Sequence, residues 1–188
     1  MNNFFKIVIH KDDELPNLHG LCAGFENKSW RKNQLVEYIF NYLPEFALNQ
    51  TELTDFDSLS LIPKIRQAAG NVYQSKKFKN RGEFGELLLH AILRETHDTI
   101  PAISKIYYKD GPNDTVKGFD AVHVIKNGDD LELWLGEVKF YQSIYNAIND
   151  VIDELKEHVE IRYVKNEFIA ISNKIDNNWK HSEKLKSL

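Results

Sequence analysis

The sequence predicts an α/β protein whose second half follows the order α-β-β-β-α-β. Apolar residues recur at three- and four-residue steps in residues 80–97 and 144–163, which is the spacing of amphipathic helices. Three β-branched and aromatic segments lie between these helices, at residues 100–108, 118–125 and 131–140. A last strand is predicted for residues 167–172. With 188 residues, 42% of them hydrophobic, the chain can bury the core of one domain.

The first half contains one predicted strand and two predicted helices. Residues 4–9, FFKIVI, are β-branched and aromatic, and a polar stretch with Pro and Gly follows them. One helix is predicted over residues 29–43 and ended by Pro44. The other is predicted over residues 57–70, with Gly70 just after its last turn.

These elements divide the chain into three predicted parts. Residues 1–79 form an N-terminal extension, a strand and two helices packed on the core or on a partner. Residues 80–173 form the α/β core, a mixed sheet flanked by helices. Residues 174–188 are polar with a weakly helical end, and we expect them to be exposed.

Composition narrows the class of protein further. No apolar run approaches the roughly 18–20 residues that span a bilayer, and the first residues lack a basic region and a small-residue cleavage site. One cysteine, Cys22, can form neither an internal disulfide nor a cysteine-based zinc site. We therefore expect a soluble cytoplasmic protein that has no contact with a membrane.

The charge is unevenly distributed along the chain. The net charge of −4 by itself disfavours binding to nucleic acid. Residues 58–82, however, contain no acidic residue and six basic ones, namely Lys64, Arg66, Lys76, Lys77, Lys79 and Arg81. This stretch is the best candidate for contacting nucleic-acid phosphates, and a docking surface for a partner is the other interpretation.

Glu137 and Lys139 are the main candidates for catalytic residues in the sequence. They lie two apart in a predicted strand, so both side chains point to one face of the sheet. The hairpin before them has two possible registers, which set Asp120 opposite Leu135 or opposite Glu137. Both registers place Asp120 on the face that carries Glu137 and Lys139.

Two carboxylates held close together repel each other, and a divalent cation is the usual means of keeping both ionised near neutral pH. Mg²⁺ takes one or two carboxylates, retains waters and suits phosphate chemistry. The Lys139 ammonium can orient an attacking water or neutralise charge in the transition state. The competing interpretation is a solvated ladder of surface charges on an interaction module.

This pattern resembles the PD-(D/E)XK nuclease superfamily, whose core is αβββαβ and whose signature is a strand Asp followed by (D/E)-x-K. Asp120 matches the first acid and Glu137-Val138-Lys139 matches the second motif. The family often adds a helical Glu upstream. Glu86 in GEFGELLLHAIL matches it, with Glu83 as the competing choice. The resemblance implies catalytic roles for all four residues, Glu86, Asp120, Glu137 and Lys139, and metal ligation by Asp120 and Glu137.

The phrases RGEFGELLLHAIL, KGFDAVHV and LWLGEVKFY are similar, in that order, to the HamA/AbpA family of nuclease subunits in Hachiman anti-phage systems. This likeness implies a DNase that uses Mg²⁺, with Mn²⁺ able to substitute, and no small-molecule cofactor. It also implies DNA and a HamB-like helicase as partners. In nucleases of this type a polar residue after the lysine often lines the site, which singles out Gln142. The alternative is a non-catalytic DNA-binding or regulatory subunit that restrains or positions a helicase.

Overall fold

A computed structural model describes residues 4–13, 15–54, 60–73, 82–103 and 118–188. In these residues the chain is a mixed α/β protein that combines helices with small antiparallel sheets. Two compact units are present, Met1–Asn41 and Tyr42–Leu188. The predicted boundary near residue 80 stays a prediction, because residues 74–81 lie outside the described part of the chain.

The described residues of the first unit form two short hairpins and one helix. Strands β1 (Lys6–Lys11) and β2 (Leu18–Cys22) pair antiparallel, and β3 (Phe25–Glu26) pairs with β4 (Ser29–Trp30). Helix α1 (Lys32–Phe40) follows directly. The strand predicted near the start is confirmed in large part. The helix predicted from residue 29 begins three residues later, because that stretch is taken up by β4.

In the described residues the second unit opens with four helices, α2 (Leu43–Ala47), α3 (Gln50–Thr54), α4 (Leu61–Tyr73) and α5 (Gly82–His97). Helix α5 confirms the helix predicted over residues 80–97. Pro44, predicted to end a helix, instead lies in the first turn of α2, where its missing N–H costs nothing. Gly70 does not end α4, since the buried Ala68 and Val72 keep the helix packed on both sides of it.

In the described residues the sheet at the centre of this unit is antiparallel and not mixed as predicted, because the segment predicted as its last strand is helical. Its three strands are β5 (Ile100–Pro101), β6 (Ala121–Asn127) and β7 (Asp130–Gly136), in that order. In the β6–β7 hairpin Lys126 pairs with Leu131 and Ala121 pairs with Gly136. This is the second of the two predicted registers, closed by a turn in which Gly128 has a φ of 63°. Residues 104–108 of the predicted first strand lie outside the described residues.

The two faces of this sheet are covered by different helices. On one face His123 of β6 contacts His90 of α5, and a Cβ on Gly136 would lie 3.2 Å from Leu89. The alternate residues of the strands point to the opposite face, as the period of two requires. That face forms a core of Ala102, Phe119, Val122, Val124, Leu131, Ile171, Ile175, Trp179 and Leu185.

Three helices complete the chain, α6 (Ile144–His158), α7 (Ile161–Lys174) and α8 (Ser182–Lys186). The strand predicted over residues 167–172 is therefore wrong, because this segment belongs to α7. A short apolar run does not distinguish a strand from a helix by itself. Here Ile171 and Ile175 repeat at the four-residue helical step and fill the core. The described elements thus run α-β-β-β-α-α from α5 to α7.

The C-terminal segment corrects one expectation about burial. Residues 174–188, predicted to be exposed, contribute Trp179 and Leu185 to the core. In α6, Ile144 is 79% exposed, and Ile148, Ile152 and Leu155 are exposed as well. None of the helices in the described ranges is long and apolar enough to cross a membrane.

Candidate functional site

The Asp120 side chain links the start of β6 to the end of β7 through a hydrogen bond. It immediately precedes β6, and the hairpin register continued by one residue sets it opposite Glu137. The backbone N–H of Val138 donates to Asp120 Oδ2 at 3.0 Å. Strand β7, predicted to reach Phe140, ends at Gly136 because this N–H is bound by a side chain instead of a neighbouring strand. The Asp120 carboxylate therefore fixes the path of the Glu137–Lys139 segment.

The Glu137 side chain is buried beside helix α6. Only 5% of it is exposed, and its Oε1 lies 2.8 Å from Nδ1 of His158 in the last turn of that helix. A buried carboxylate is stable when a nearby polar or charged group offsets the loss of hydration. His158 supplies a close contact of this kind and helps to orient the carboxylate.

Lys139 is 15% exposed and forms an ion pair with Glu154, one turn before His158 on α6. Burial lowers the pKa of Lys139, but the hydrogen bond and negative charge of Glu154 outweigh it, and the charges of Asp120 and Glu137 add to them. The pKa of Lys139 is therefore raised above its ordinary value, and the side chain is an ammonium at neutral pH. This ammonium is electrostatically coupled to both predicted metal ligands.

The predicted shared face of Glu137 and Lys139 is retained beyond the end of the strand. Both side chains meet α6, whereas the intervening Val138 contacts Gly85 of α5 on the opposite side. A ladder of solvated surface charges does not fit side chains that are buried to this degree. The structure thus brings together Asp120, Glu137 and Lys139.

Helix α7 closes the cluster from another side. The Tyr163 ring stacks on His158 with a centroid separation of 4.3 Å. Burial first, and then the charges of Glu167 and Glu137, raise the pKa of this phenol. Near the start of β6, Gly118 has a φ of 115°, and a Cβ there would contact the Glu167 carboxylate. Any other residue at position 118 would be strained by this backbone conformation, and its side chain would displace that carboxylate.

The predicted helical glutamates lie in the first turns of α5. Gly85, next to Glu86, packs so closely that a Cβ on it would lie 3.0 Å from Cβ of Phe140. The N-terminal end of α5 therefore contacts the segment that carries Glu137 and Lys139. Oε2 of Glu86 is buried, whereas Glu83 lies in the first turn. The catalytic role of Glu86, and the choice over Glu83, stay predictions.

Most of the predicted nucleic-acid-binding residues cannot be placed relative to this cluster, because the described part of the chain does not include them. Lys76, Lys77, Lys79 and Arg81 lie outside the described residues. Gln142 is exposed, just before α6 begins. Its contact with DNA also stays a prediction.

Two residues of the cluster, Glu154 and His158, were not anticipated from the sequence. They are four apart in a helix, so they lie on one face of it. That spacing was the available signal, but the apolar stripe of the same helix is more prominent in the sequence. Only the ion pairs with Lys139 and Glu137 show which face of α6 is turned inward.

The donor set suits a hard divalent cation. Asp120 and Glu137 offer carboxylate oxygens from the ends of adjacent strands, and Mg²⁺ prefers oxygen ligands and needs only one or two from the protein. One oxygen of each carboxylate is already oriented, by Val138 N–H and by His158 respectively. The residues present therefore fit the predicted ion.

Fold and site together define a mixed α/β protein with a buried carboxylate–lysine cluster where an antiparallel hairpin ends. The HamA family profile matches residues 2–188, and the chain belongs to that family. The chain is also similar to Anti-bacteriophage protein A of Escherichia coli strain K12, with 25% identity over 145 residues. That match covers 74% of this chain but only 26% of the relative. No solved structure shows significant similarity to the chain.

Proposed function

We propose that this protein is a Mg²⁺-dependent DNA nuclease of the PD-(D/E)XK type, which hydrolyses phosphodiester bonds. The observation that carries the proposal is the burial of Glu137 and Lys139 beside Asp120, where β6 and β7 end. Ionisable side chains are costly to bury, and such clusters concentrate at functional sites. Their order along the chain is that of the nuclease signature.

Each residue has a definite role in this proposal. Asp120 and Glu137 hold Mg²⁺, which when bound polarises a phosphoryl oxygen and favours ionisation of water. The Lys139 ammonium orients the attacking water and neutralises charge that develops on the phosphoryl group. Glu86 assists from α5. His158 keeps the Glu137 carboxylate oriented, which maintains the geometry that in-line attack needs.

The biological setting belongs to the same proposal. Membership of the HamA family, and a relative named for its action against bacteriophage, support a role in anti-phage defence. A HamB-like helicase is the proposed partner. A chain with a net charge of −4 attracts DNA weakly by itself, so we expect the partner to supply much of the affinity for DNA.

One observation favours a second candidate, a non-catalytic subunit that binds DNA or restrains a helicase. Glu137 and Lys139 are both engaged by side chains of α6, so the two groups that chemistry requires already have protein partners. A subunit of this kind would retain the fold and the charges without turnover.

DNA cleavage by the full chain separates the two candidates. Plasmid and linear DNA are incubated with Mg²⁺, Mn²⁺ or EDTA, with and without the helicase. We expect metal-dependent cutting that falls by about 10²-fold or more in Glu137→Gln and in Lys139→Met. Glu132→Gln, an exposed glutamate of the same strand, is the matched control and should cut like the wild type.

Cutting that survives in both Glu137→Gln and Lys139→Met would show that the cluster is not catalytic. If no condition gives cutting, we would measure how the affinity for DNA depends on the salt concentration. This measurement distinguishes a DNA-binding subunit from a protein-interaction module. A steep loss of affinity as salt rises indicates phosphate contacts and favours the non-catalytic DNA-binding subunit. The absence of salt-dependent binding would exclude the nuclease and the DNA-binding subunit, and it would favour a module that acts through protein contacts alone.

A further inference from the structure

We propose a second metal site in the N-terminal unit, formed by His10, Asp12 and His19 and selective for a divalent transition metal such as Zn²⁺. The three side chains come from the β1–β2 hairpin, and none of them takes part in the proposed nuclease site. The inference is therefore independent of the proposed function.

The hairpin itself brings the three side chains to one face. His10 and His19 are directly paired across the two strands. Asp12 follows His10 by two residues, and residues two apart in extended chain point to the same side. Lys11, between them, points to the other side. The pairing of the two strands thus places His10, Asp12 and His19 on the same face of the hairpin.

The imidazole nitrogens and the carboxylate oxygens of these three side chains lie close together. Nε2 of His10 lies 2.8 Å from Asp12 Oδ2, and Nε2 of His19 lies 2.8 Å from Asp12 Oδ1. The two imidazoles are stacked, with centroids 4.8 Å apart and planes 18° from parallel. One ligand atom from each of the three residues can be chosen so that all lie within 4.8 Å of one another.

The donor set selects the class of ion. Two imidazole nitrogens with one carboxylate oxygen suit Zn²⁺ and related transition metals, whereas Mg²⁺ and Ca²⁺ prefer oxygen alone. Zn²⁺ with bonds of about 2.0–2.1 Å needs its ligands roughly 3.3 Å apart in a tetrahedron. The side chain of His10 is 58% exposed and that of Asp12 is 41% exposed, so small rotations reach this spacing. Their exposure leaves a coordination position open to water.

Titration calorimetry of the full chain with ZnCl₂ tests the proposal. We expect one equivalent of Zn²⁺ to bind and to raise the melting temperature by mass action. His19→Gln and Asp12→Asn should each lose that equivalent. Lys11→Gln, a change in the same hairpin that removes no ligand, should keep it. Glu137→Gln should keep it too, which separates this site from the proposed nuclease site.

A second measurement needs no substitution. Diethylpyrocarbonate modifies accessible imidazoles, and mass spectrometry locates the modified residues. We expect Zn²⁺ to protect His10 and His19 of the wild type from modification, and Mg²⁺ to leave them reactive. The proposal is overturned if Zn²⁺ does not bind saturably, if the equivalent survives in both His19→Gln and Asp12→Asn, or if neither histidine is protected.

Discussion

At the scale of single residues, two buried imidazoles connect α5 to the central strand β6. Nδ1 of His90 lies 3.1 Å from Nε2 of His123, whose Nδ1 lies 2.7 Å from the Thr99 hydroxyl. On the far side, Nε2 of His90 lies 3.3 Å from Glu45 Oε2. Burial, followed by the charge of His90, lowers the pKa of His123 to about 3. His123 is thus a neutral residue packed inside the protein.

This low pKa predicts that stability falls with acid. In the unfolded chain His123 takes up a proton below its ordinary pKa of 6.5, while in the folded chain it does so only below about 3. Between these values the unfolded state binds one more proton, so this residue lowers stability by up to about 1.4 kcal/mol per pH unit as the pH falls. His123→Gln should flatten that slope when urea unfolding is measured from pH 4 to 7.

Other ionisable groups near His123 also make the stability depend on pH in acid. The effect of His123 is therefore measured as the difference between the wild type and His123→Gln. The pKa of Glu45 is lowered, since the hydrogen bond and charge of His90 and the charge of Arg94 outweigh the effect of burial. That carboxylate also loses stabilising contacts in acid. Equal slopes for the wild type and His123→Gln would show that His123 is protonated in the folded protein.

A second prediction at this scale concerns the ammonium of Lys139. Because Glu154 is the main group that raises the pKa of Lys139 against the effect of burial, Glu154→Gln should lower it. An NMR titration of the ¹³Cε resonance of Lys139 measures the change. Asp153→Asn removes an exposed neighbouring carboxylate that pairs with Lys156, and it should leave the pKa of Lys139 unchanged. The same titration curve in Glu154→Gln and wild type would contradict the ion pair.

At the scale of elements, the position of the Glu137–Lys139 segment depends on the first turns of α5. Gly85 allows the helix backbone to approach until a Cβ would lie 3.0 Å from Phe140 and 3.4 Å from Val138. The ring of Phe84 also packs 5.2 Å from that of Phe140. One glycine thus lets a helix and a chain segment pack closely on the side opposite Glu154 and His158.

Gly85→Ala should therefore destabilise the protein by about 1–2 kcal/mol. Inserting a methyl group into this closely packed contact costs about 1–3 kcal/mol, which outweighs the gain of about 0.5–1 kcal/mol that alanine gives over glycine inside a helix. Gly82→Ala is the matched control, because the atom nearest to its added Cβ is a Glu86 oxygen 3.9 Å away. Urea unfolding of both variants measures the difference. A Gly85→Ala protein as stable as the Gly82→Ala protein would show that this contact is loose.

At the scale of the whole molecule, the last fifteen residues complete the core of the second unit. Leu185 in α8 is fully buried, and Trp179 packs with it against β6, β7 and α7. Asp176 accepts hydrogen bonds from the backbone N–H and the hydroxyl of Thr51, at 3.0 and 2.9 Å. Segments more than 100 residues apart in sequence are therefore held together by the C-terminal segment.

Leu185→Ala should lower the free energy of unfolding by about 2–5 kcal/mol, through lost burial and the cavity that remains. Leu188→Ala, three residues later and 59% exposed, should change it by less than about 0.5 kcal/mol. Chemical denaturation followed by tryptophan fluorescence measures both. A loss as small in Leu185→Ala as in Leu188→Ala would mean that α8 does not belong to the core.

The sequence by itself determined the α/β class, helix α5, the β6–β7 hairpin and the shared side of Glu137 and Lys139. Each of these follows from local periodicity and turn residues, which neighbouring positions encode directly. The order of Asp120, Glu137 and Lys139 matches the Asp…(D/E)-x-K signature, and it too can be recognised from the sequence alone.

Only the tertiary structure decided two features that local sequence patterns do not determine, namely the conformation of residues 167–172 and the face of α6 that is turned inward. Residues 167–172 form part of a helix because Ile171 and Ile175 are buried by residues far away in the sequence. Helix α6 turns Glu154 and His158 inward, and leaves apolar side chains exposed, because Lys139 and Glu137 bind those two residues. Buried charges need partners, and which residues become partners is set by contacts between distant segments of the folded chain.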